Sequence, residues 1–422
     1  MRKTKRLSLL LAFVLVLTLI ISGCGKKQTT TSNEQVNLTF LCWGSTSNME
    51  IRKKVVDEFE KNHPHIKITT IHVPLNFEDK LQTMIAGGSA PDVFWLDPTI
   101  QMPSFAEKGV LLDLGPLIEE DQQLQQNLDS YHKVALDSGV YKGITYGLPW
   151  VYNPEALFYN KKIIAEAGLA VPDGDFTISD LIEAAKKMVK KSKEGRVEQY
   201  GFGGGNWYGF VWRFGGEIFD DHDYPTKCTL DSPESIEGLQ FYQDLVYKEK
   251  VSPTPAASKA LPTEEMFTTG RLGMIAAGGW VVPKFKEISA FEWGSTNMPK
   301  GKRQVSAAWS TLTVASANTK HPKEAWEFIK FYASKTAQEI CLKGGISTIP
   351  VLKMSTTPKT TEQTQGVFLS AQDGKMWPML PQYAKIMDKI NSELDYLIMN
   401  KHDATKVARN MVKNVNPILS SK

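Results

Sequence analysis

The chain has 422 residues, 42% hydrophobic and 23% charged, with 49 lysines and arginines against 46 aspartates and glutamates for a formal net charge of +3. That is the composition of a water-soluble globule, and its length exceeds the roughly 250–300 residues that one core fills, so two lobes are expected. Near-neutral charge argues against a nucleic-acid partner, which requires a concentrated basic face, and none is expected.

Arg2, Lys3, Lys5 and Arg6 precede an apolar run from Leu7 to Ile21, which ends in Ser22-Gly23-Cys24 and gives way to polar, small residues from Gly25 to Asn33. A basic start, a short apolar run and small residues at its end make a secretory signal, too short and wrongly flanked for a stable membrane span. A cysteine directly after the small residues resembles a bacterial lipobox, which implies cleavage before Cys24 and a lipid on that residue. An ordinary signal with a chance cysteine is the alternative. On the lipobox reading residues 1–23 are lost and residues 24–36 are the lipidated cysteine and its tether. The mature chain then carries a charge of about −1 and sits on the outer face of the cell membrane, as a Gram-positive lipoprotein does. Residues 25–35 reach roughly 15–20 Å as flexible coil. Cys42, Cys228 and Cys341 remain; three scattered thiols make no disulfide framework, and the spacing leaves a Cys228–Cys341 bridge open without favouring it.

Strand and helix signals then alternate. Leu38–Cys42 is an apolar strand, and Ile51, Val55 and Phe59 mark an amphipathic helix that Pro64 ends. Ile66–Ile71 alternates as a strand. Leu81, Met84 and Ile85 line a second helix, which stops at Gly87-Gly88 before the strand Asp92–Leu96. This β-α-β-α-β order predicts an α/β lobe with a largely parallel sheet. The register changes around Leu148-Pro149-Trp150, and Ala156–Tyr159 reads as a strand entering a new unit. Helical stripes follow at Ile178–Ala185 and Ile236–Leu245, with strands at Gly273–Ala277 and Leu312–Ala315 and a long stripe from Tyr383 to Leu397.

Several runs, in this order, carry a resemblance. They are Asn62-His63-Pro64-His65-Ile66-Lys67-Ile68; Ala86-Gly87-Gly88-Ser89-Ala90-Pro91-Asp92-Val93-Phe94; and Gly147-Leu148-Pro149-Trp150 with Ala156-Leu157-Phe158-Tyr159-Asn160-Lys161. Gly215-Gly216-Glu217-Ile218-Phe219-Asp220, Gly273-Met274-Ile275 with Gly278-Gly279-Trp280, and Pro322-Lys323-Glu324-Ala325-Trp326-Glu327-Phe328 complete the set. Together they resemble the extracellular solute-binding protein family 1, the sugar-capturing lipoproteins of bacterial ABC importers, over about residues 37 to 350. Where many relatives carry a Gly-Gly pair before the returning strand, this chain has Ala307-Ala308-Trp309-Ser310. The resemblance implies a two-lobed α/β fold of the type II periplasmic-binding-protein kind, with the ligand in the cleft between the lobes. Residues 37–147 with about 296–345 would form the N-terminal lobe, and 148–295 with about 346–422 the C-terminal one. It also implies a monomeric binding protein rather than an enzyme, without a cofactor. Its partners would be a sugar or oligosaccharide, the importer's transmembrane permease, and the membrane through Cys24.

A sugar presents hydroxyls on its rim and C–H groups on its faces, so its site needs flat aromatics and planar hydrogen-bonding side chains. Of the ten tryptophans, several stand beside Gly, Asn or Pro rather than in helical stripes. Trp43 with Gly44 ends the first strand, Trp150 and Tyr152 with Asn153 follow the crossover, Asn206-Trp207 follows a glycine run, and Trp280 follows Gly279. Trp309-Ser310 and Trp377 are further candidates; core packing is the alternative for each tryptophan, and Trp326, on a helical stripe, is read as core. Asp97 closes the strand Asp92–Leu96, where a carboxylate can accept two hydroxyls, with a turn role before Pro98 as the alternative. Glu78 is a weaker acid of the same kind. Arg213 is the cation placed for an acidic sugar or a phosphate. His63-Pro64-His65 with His72 lacks a recognised metal-ligand set, and Asp220-Asp221-His222-Asp223 lacks the glycine and glutamate of a calcium loop, so no metal is expected and a polar turn is. Two other functions stay open: a lipid-anchored glycosidase or polysaccharide lyase, for which no short motif pairs the acids, and the same fold holding a phosphorylated polyol, a polyamine or a metal chelate.

Overall fold

Val36–Cys42 (β1) opens the described chain as an apolar run in which Leu38, Phe40, Leu41 and Cys42 are fully buried. The structure is a computed structural model and describes residues 35–344, 351–352 and 361–421. Cys24, with the signal and most of the tether, lies outside the described residues. β1 leads into α1 (Thr46–Asn62), capped where Ser45 accepts the Asn48 amide, with Val55 and Phe59 turned inward. β2 (Ile66–His72), α2 (Phe77–Ala86) and β3 (Val93–Leu96) follow. α2 closes on Gly87, and Gly88 takes φ +69°, the left-handed turn that the glycine pair predicts.

The chain then enters β4 (Gly147–Asn160), a single 14-residue strand of which the predicted Ala156–Tyr159 is the far half. Pro149 and Pro154 sit inside it because the ladder is already irregular at both. A register shift separates Thr311 from Leu312 opposite Pro149, and at Pro154 the strand changes neighbours. α3 (Ile178–Met188) starts on a capping box in which Thr177 and Asp180 satisfy each other's backbone amides. β5 (Val197–Gly204), α4 (Trp207–Arg213), α5 (Pro233–Tyr247), β6 (Leu272–Gly278), β7 (Trp293–Asn297) and β8 (Ser306–Ala315) come next. α6 (Pro322–Tyr332), α7 (Lys335–Gly344), α8 (Tyr383–Ile398) and α9 (Ala404–Ser420) complete the elements that matter here.

The strands lie in the order β2-β1-β3-β8-β4-β6-β5, with β7 also on β4. β1 is parallel to β3 and β5 to β6, but β8 runs antiparallel to both β3 and β4. The sheet is therefore mixed where a largely parallel one is predicted, because β8 is a returning strand that inserts beside β3. β4 pairs with β8 up to Pro154 and with β6 from Glu155 onward, so one strand serves both halves.

Leu41, Phe94, Leu96, Leu312 and Val314 form a core in the first half, with Phe77 and Leu81 of α2. Leu157, Phe202, Phe210 and Met274 form a second, and Trp212, Leu239, Ile386, Val407 and Met411 a third under the C-terminal helices. Cys42, Cys228 and Cys341 are buried and free. Cys228 belongs to the third core and its amide donates to Asn416 Oδ1, whereas Cys341 lies on α7 within the electrostatic reach of Arg52, so no Cys228–Cys341 bridge forms. His63 stacks on Phe59 at 4.3 Å, and His72 Nε2 donates to Gly44 O at 2.7 Å. Asp220 gathers the Thr226 hydroxyl and then the amides of Thr226, Lys227 and Asp221 into a polar turn, which holds its carboxyl down at about 2. No helix among the described residues is long and apolar enough to cross a membrane.

Candidate functional site

The place where β4 changes neighbours gathers several candidates. Register sets Asn153 against Trp309, Tyr152 against Ser310 and Glu155 against Gly278. Just past Gly278 a tight turn, Gly279–Val281, carries Trp280. Its indole folds back over Gly278, where a Cβ would overlap the ring, so glycine there lets the indole take this position. Trp280 is 47% exposed, and it meets Trp309 edge-on with ring centroids 5.1 Å apart. A large apolar face held out to solvent on a fixed turn is a stacking surface.

Beside this pair stands a second aromatic group. Tyr208 lies 5.3 Å from Trp377 and 5.6 Å from Trp207, and Trp377 reaches Tyr383 at 6.3 Å. Burial pushes the Tyr208 phenol well up, with the charges of Glu155 and Asp97 adding to it. Burial, then the charge of Asp97, pushes the Tyr383 phenol up to about 12. Asp97, at the end of β3, is thus within electrostatic reach of both tyrosines. Its Oδ1 accepts the amides of Thr99 and Ile100 at 2.8 and 2.9 Å, which is the turn role expected before Pro98. Burial is the main cause that pushes this carboxyl up to about 6; the two amides oppose it and Glu78, exposed at the start of α2, adds to it. Trp43 is half-buried on the same side, edge-on to Phe77 at 4.7 Å and to Trp95 at 5.2 Å. Gly44 takes φ +126° beside it.

Other candidates lie deeper than the sequence suggests. Trp150 is buried and stacks on Trp95 at 4.3 Å, against which the Arg52 guanidinium also packs at 4.3 Å. Tyr152 has no exposed surface, and its hydroxyl points at Ala371 O. Ser310 Oγ donates to Val151 O within the sheet. Trp207 and Trp377 are buried in the third core and present at most an edge. Arg213 has no exposed surface, and its Nη2 donates to Glu155 Oε2 at 2.7 Å, so it does not stand free for an anionic ligand. Its neighbour Asn206 directs its backbone amide and its Nδ2 to Glu155 Oε1.

Tyr208, Tyr383 and Arg52 are not singled out by the sequence as site residues, whereas Glu155 is one of the few acids among the aromatics that a polyamine site would use. Tyr208 follows two chosen residues and could have been taken with them, whereas Tyr383 reads as the first step of an apolar helical stripe. Arg52 carries no sequence signal for its burial between α1 and β3.

A family model described as bacterial extracellular solute-binding protein matches residues 43–339. The maltotriose-binding protein of Pyrococcus abyssi is 25% identical over 372 residues, covering 84% of this chain and 76% of that one. The arabinooligosaccharide-binding protein of Bacillus subtilis is 24% identical over 343 residues, covering 76% and 74%. Among solved structures, an ABC substrate-binding protein of Listeria monocytogenes in complex with cycloalternan is similar at a TM-score of 0.81 and 27% identity, covering 92% of this chain and all of that one. With a family match over most of its length and a two-lobed relative superposing along nearly the whole chain, this protein belongs to the bacterial extracellular solute-binding proteins.

Proposed function

We propose that this protein captures a neutral oligosaccharide outside the cell and delivers it to the permease of an ABC importer, working as a monomer held to the membrane by a lipid on Cys24. The observation that supports this most is the meeting of Trp280, Trp309 and Tyr208 with Asp97, Asn153 and Asn206 where one strand serves both halves. Aromatic faces take the C–H surfaces of a sugar, and the carboxylate and amides take its hydroxyls. A neutral ligand fits because Arg213 is already paired with Glu155. On this reading the first lobe holds Trp43 and Asp97, the second holds Trp280 and Tyr208, and β4 and β8 bend between them as ligand draws the lobes together. The relatives' ligands, maltotriose, arabinooligosaccharide and cycloalternan, belong to the same chemical class.

Thermal-shift screening against a panel of oligosaccharides tests this, since a ligand that binds only the folded chain raises its melting temperature by mass action. A panel sugar should raise the melting temperature and reduce the radius of gyration in X-ray scattering. A panel without any shift would remove the sugar reading.

A further inference from the structure

We infer that Glu155 is a positioning residue for the sugar site: it fixes which end of the Asn206 amide faces the ligand. The inference rests on the sugar-binding reading above. Glu155 lies on β4 directly after Pro154, at the point where the strand exchanges neighbours, and is fully buried. Its Oε2 accepts Arg213 Nη2 at 2.7 Å. Its Oε1 accepts the Asn206 backbone amide at 3.0 Å and Asn206 Nδ2 at 3.2 Å. One carboxylate thus joins the crossing strand to both ends of α4, the short helix that carries Trp207 and Tyr208.

Stability alone is a weak reason for this arrangement. Taking a carboxylate and a guanidinium out of water carries a desolvation cost for each ion, and replacing a buried pair with apolar groups of similar size is often neutral or stabilising. Here the desolvation is incompletely recovered, since Arg213 Nε and Nη1 are buried and make no hydrogen bond among the described residues. Gly209 also leaves the pair its space, because a Cβ there would stand 3.1 Å from Arg213 Nη1 and 3.4 Å from Glu155 Oε2. What the carboxylate supplies is direction. An ionised carboxylate only accepts, so it engages the NH2 end of Asn206 and never its oxygen. Asn206 Oδ1 is then left as an acceptor for a sugar hydroxyl, and the amide cannot turn over to offer a donor instead. Arg213 Nη2 donates to the other oxygen of the same carboxylate, and the pair together adds no net charge to the site.

The test compares two double variants that both remove the buried ion pair and differ in whether an acceptor remains for Asn206. Glu155→Gln with Arg213→Met keeps a side-chain carbonyl there; Glu155→Met with Arg213→Met does not. The probe is whichever of maltotriose, arabinotriose and cycloalternan raises the wild-type melting temperature most. The second variant should bind it at least tenfold more weakly than the first, while both melt cooperatively. Equal affinities would overturn the proposal. Asn206→Leu, which leaves the ion pair in place, should lose binding by a similar factor, and wild-type affinity in that variant would overturn it even if the methionine pair did not fold. Hydrogen exchange at the Asn206 amide separates this proposal from the sugar reading. If no probe binds the wild type, the sugar reading fails on its own. Exchange that is slow in the glutamine variant and fast in the methionine variant still supports the anchor, and equal exchange in the two refutes it.

Discussion

Trp280 and Trp309 meet at 75°, the edge of one indole toward the face of the other, although one stands just past β6 and the other lies within β8. Trp309 is half-buried against the C-terminal core, so it buttresses a partner that is itself largely free. A rigid ring with one supported edge and an open face can stack on a ligand at little cost in side-chain entropy.

Trp280→Ala should therefore weaken oligosaccharide binding by roughly 2–4 kcal/mol, the size of an aromatic hot spot. The melting temperature should fall far less than for a buried tryptophan, whose removal costs about 3–5 kcal/mol. Calorimetry and a melting curve on this one variant decide the matter. A destabilised protein that binds at wild-type strength would take Trp280 out of the site.

Asp97 makes binding and stability depend on pH. Folding raises its pKa from 3.8 to about 6, so the folded chain keeps a proton that the unfolded chain has lost. Stability from this group is therefore fully present below about pH 4 and is lost as pH rises through about 6. Sugar hydroxyls donating to the carboxylate favour its charged form, so binding at pH 5.5 should release a proton and affinity should rise toward pH 7. Calorimetry in two buffers of different ionisation enthalpy measures that proton directly. Asp97→Asn should abolish both effects, and a wild type that exchanges no proton would exclude the carboxylate as a ligand group.

Burial pushes the thiols of Cys42, Cys228 and Cys341 up to about 11, 12 and 12. At pH 8 they should be neutral and shielded, so a thiol reagent should react slowly with the folded mature protein. After unfolding, three thiols should react if Cys24 carries its lipid as a thioether, and four if Cys24 is retained without a lipid.

Cys24→Ser tests the anchor in cells. The variant should appear in the medium or remain unprocessed, with sugar binding intact. Retention on membranes after a carbonate wash would remove the lipobox reading.

Much of the architecture was legible because it is local. Gly87-Gly88 marks the end of α2, and the stripe from Tyr383 to Leu397 marks α8 almost residue for residue. β4 was half hidden because Pro149 and Pro154 break its pattern, and only its distant partners β8 and β6 explain why the strand tolerates them. The same limit governs the candidate site. Trp150 and Trp377 look like loop aromatics until Trp95 and Phe219 are brought against them. Arg213 reads as an available cation until Glu155 arrives from another element, and no spacing rule connects an acid on a strand to a base at the far end of a helix.

The insertion of β8 beside β3 also governs when the molecule can finish folding. Leu96 pairs with Leu312 and Val93 with Ala315, so synthesis must pass residue 315 before β3 gains its second neighbour. Until then β3 is an open edge, and pairing across so long a stretch of chain is slow.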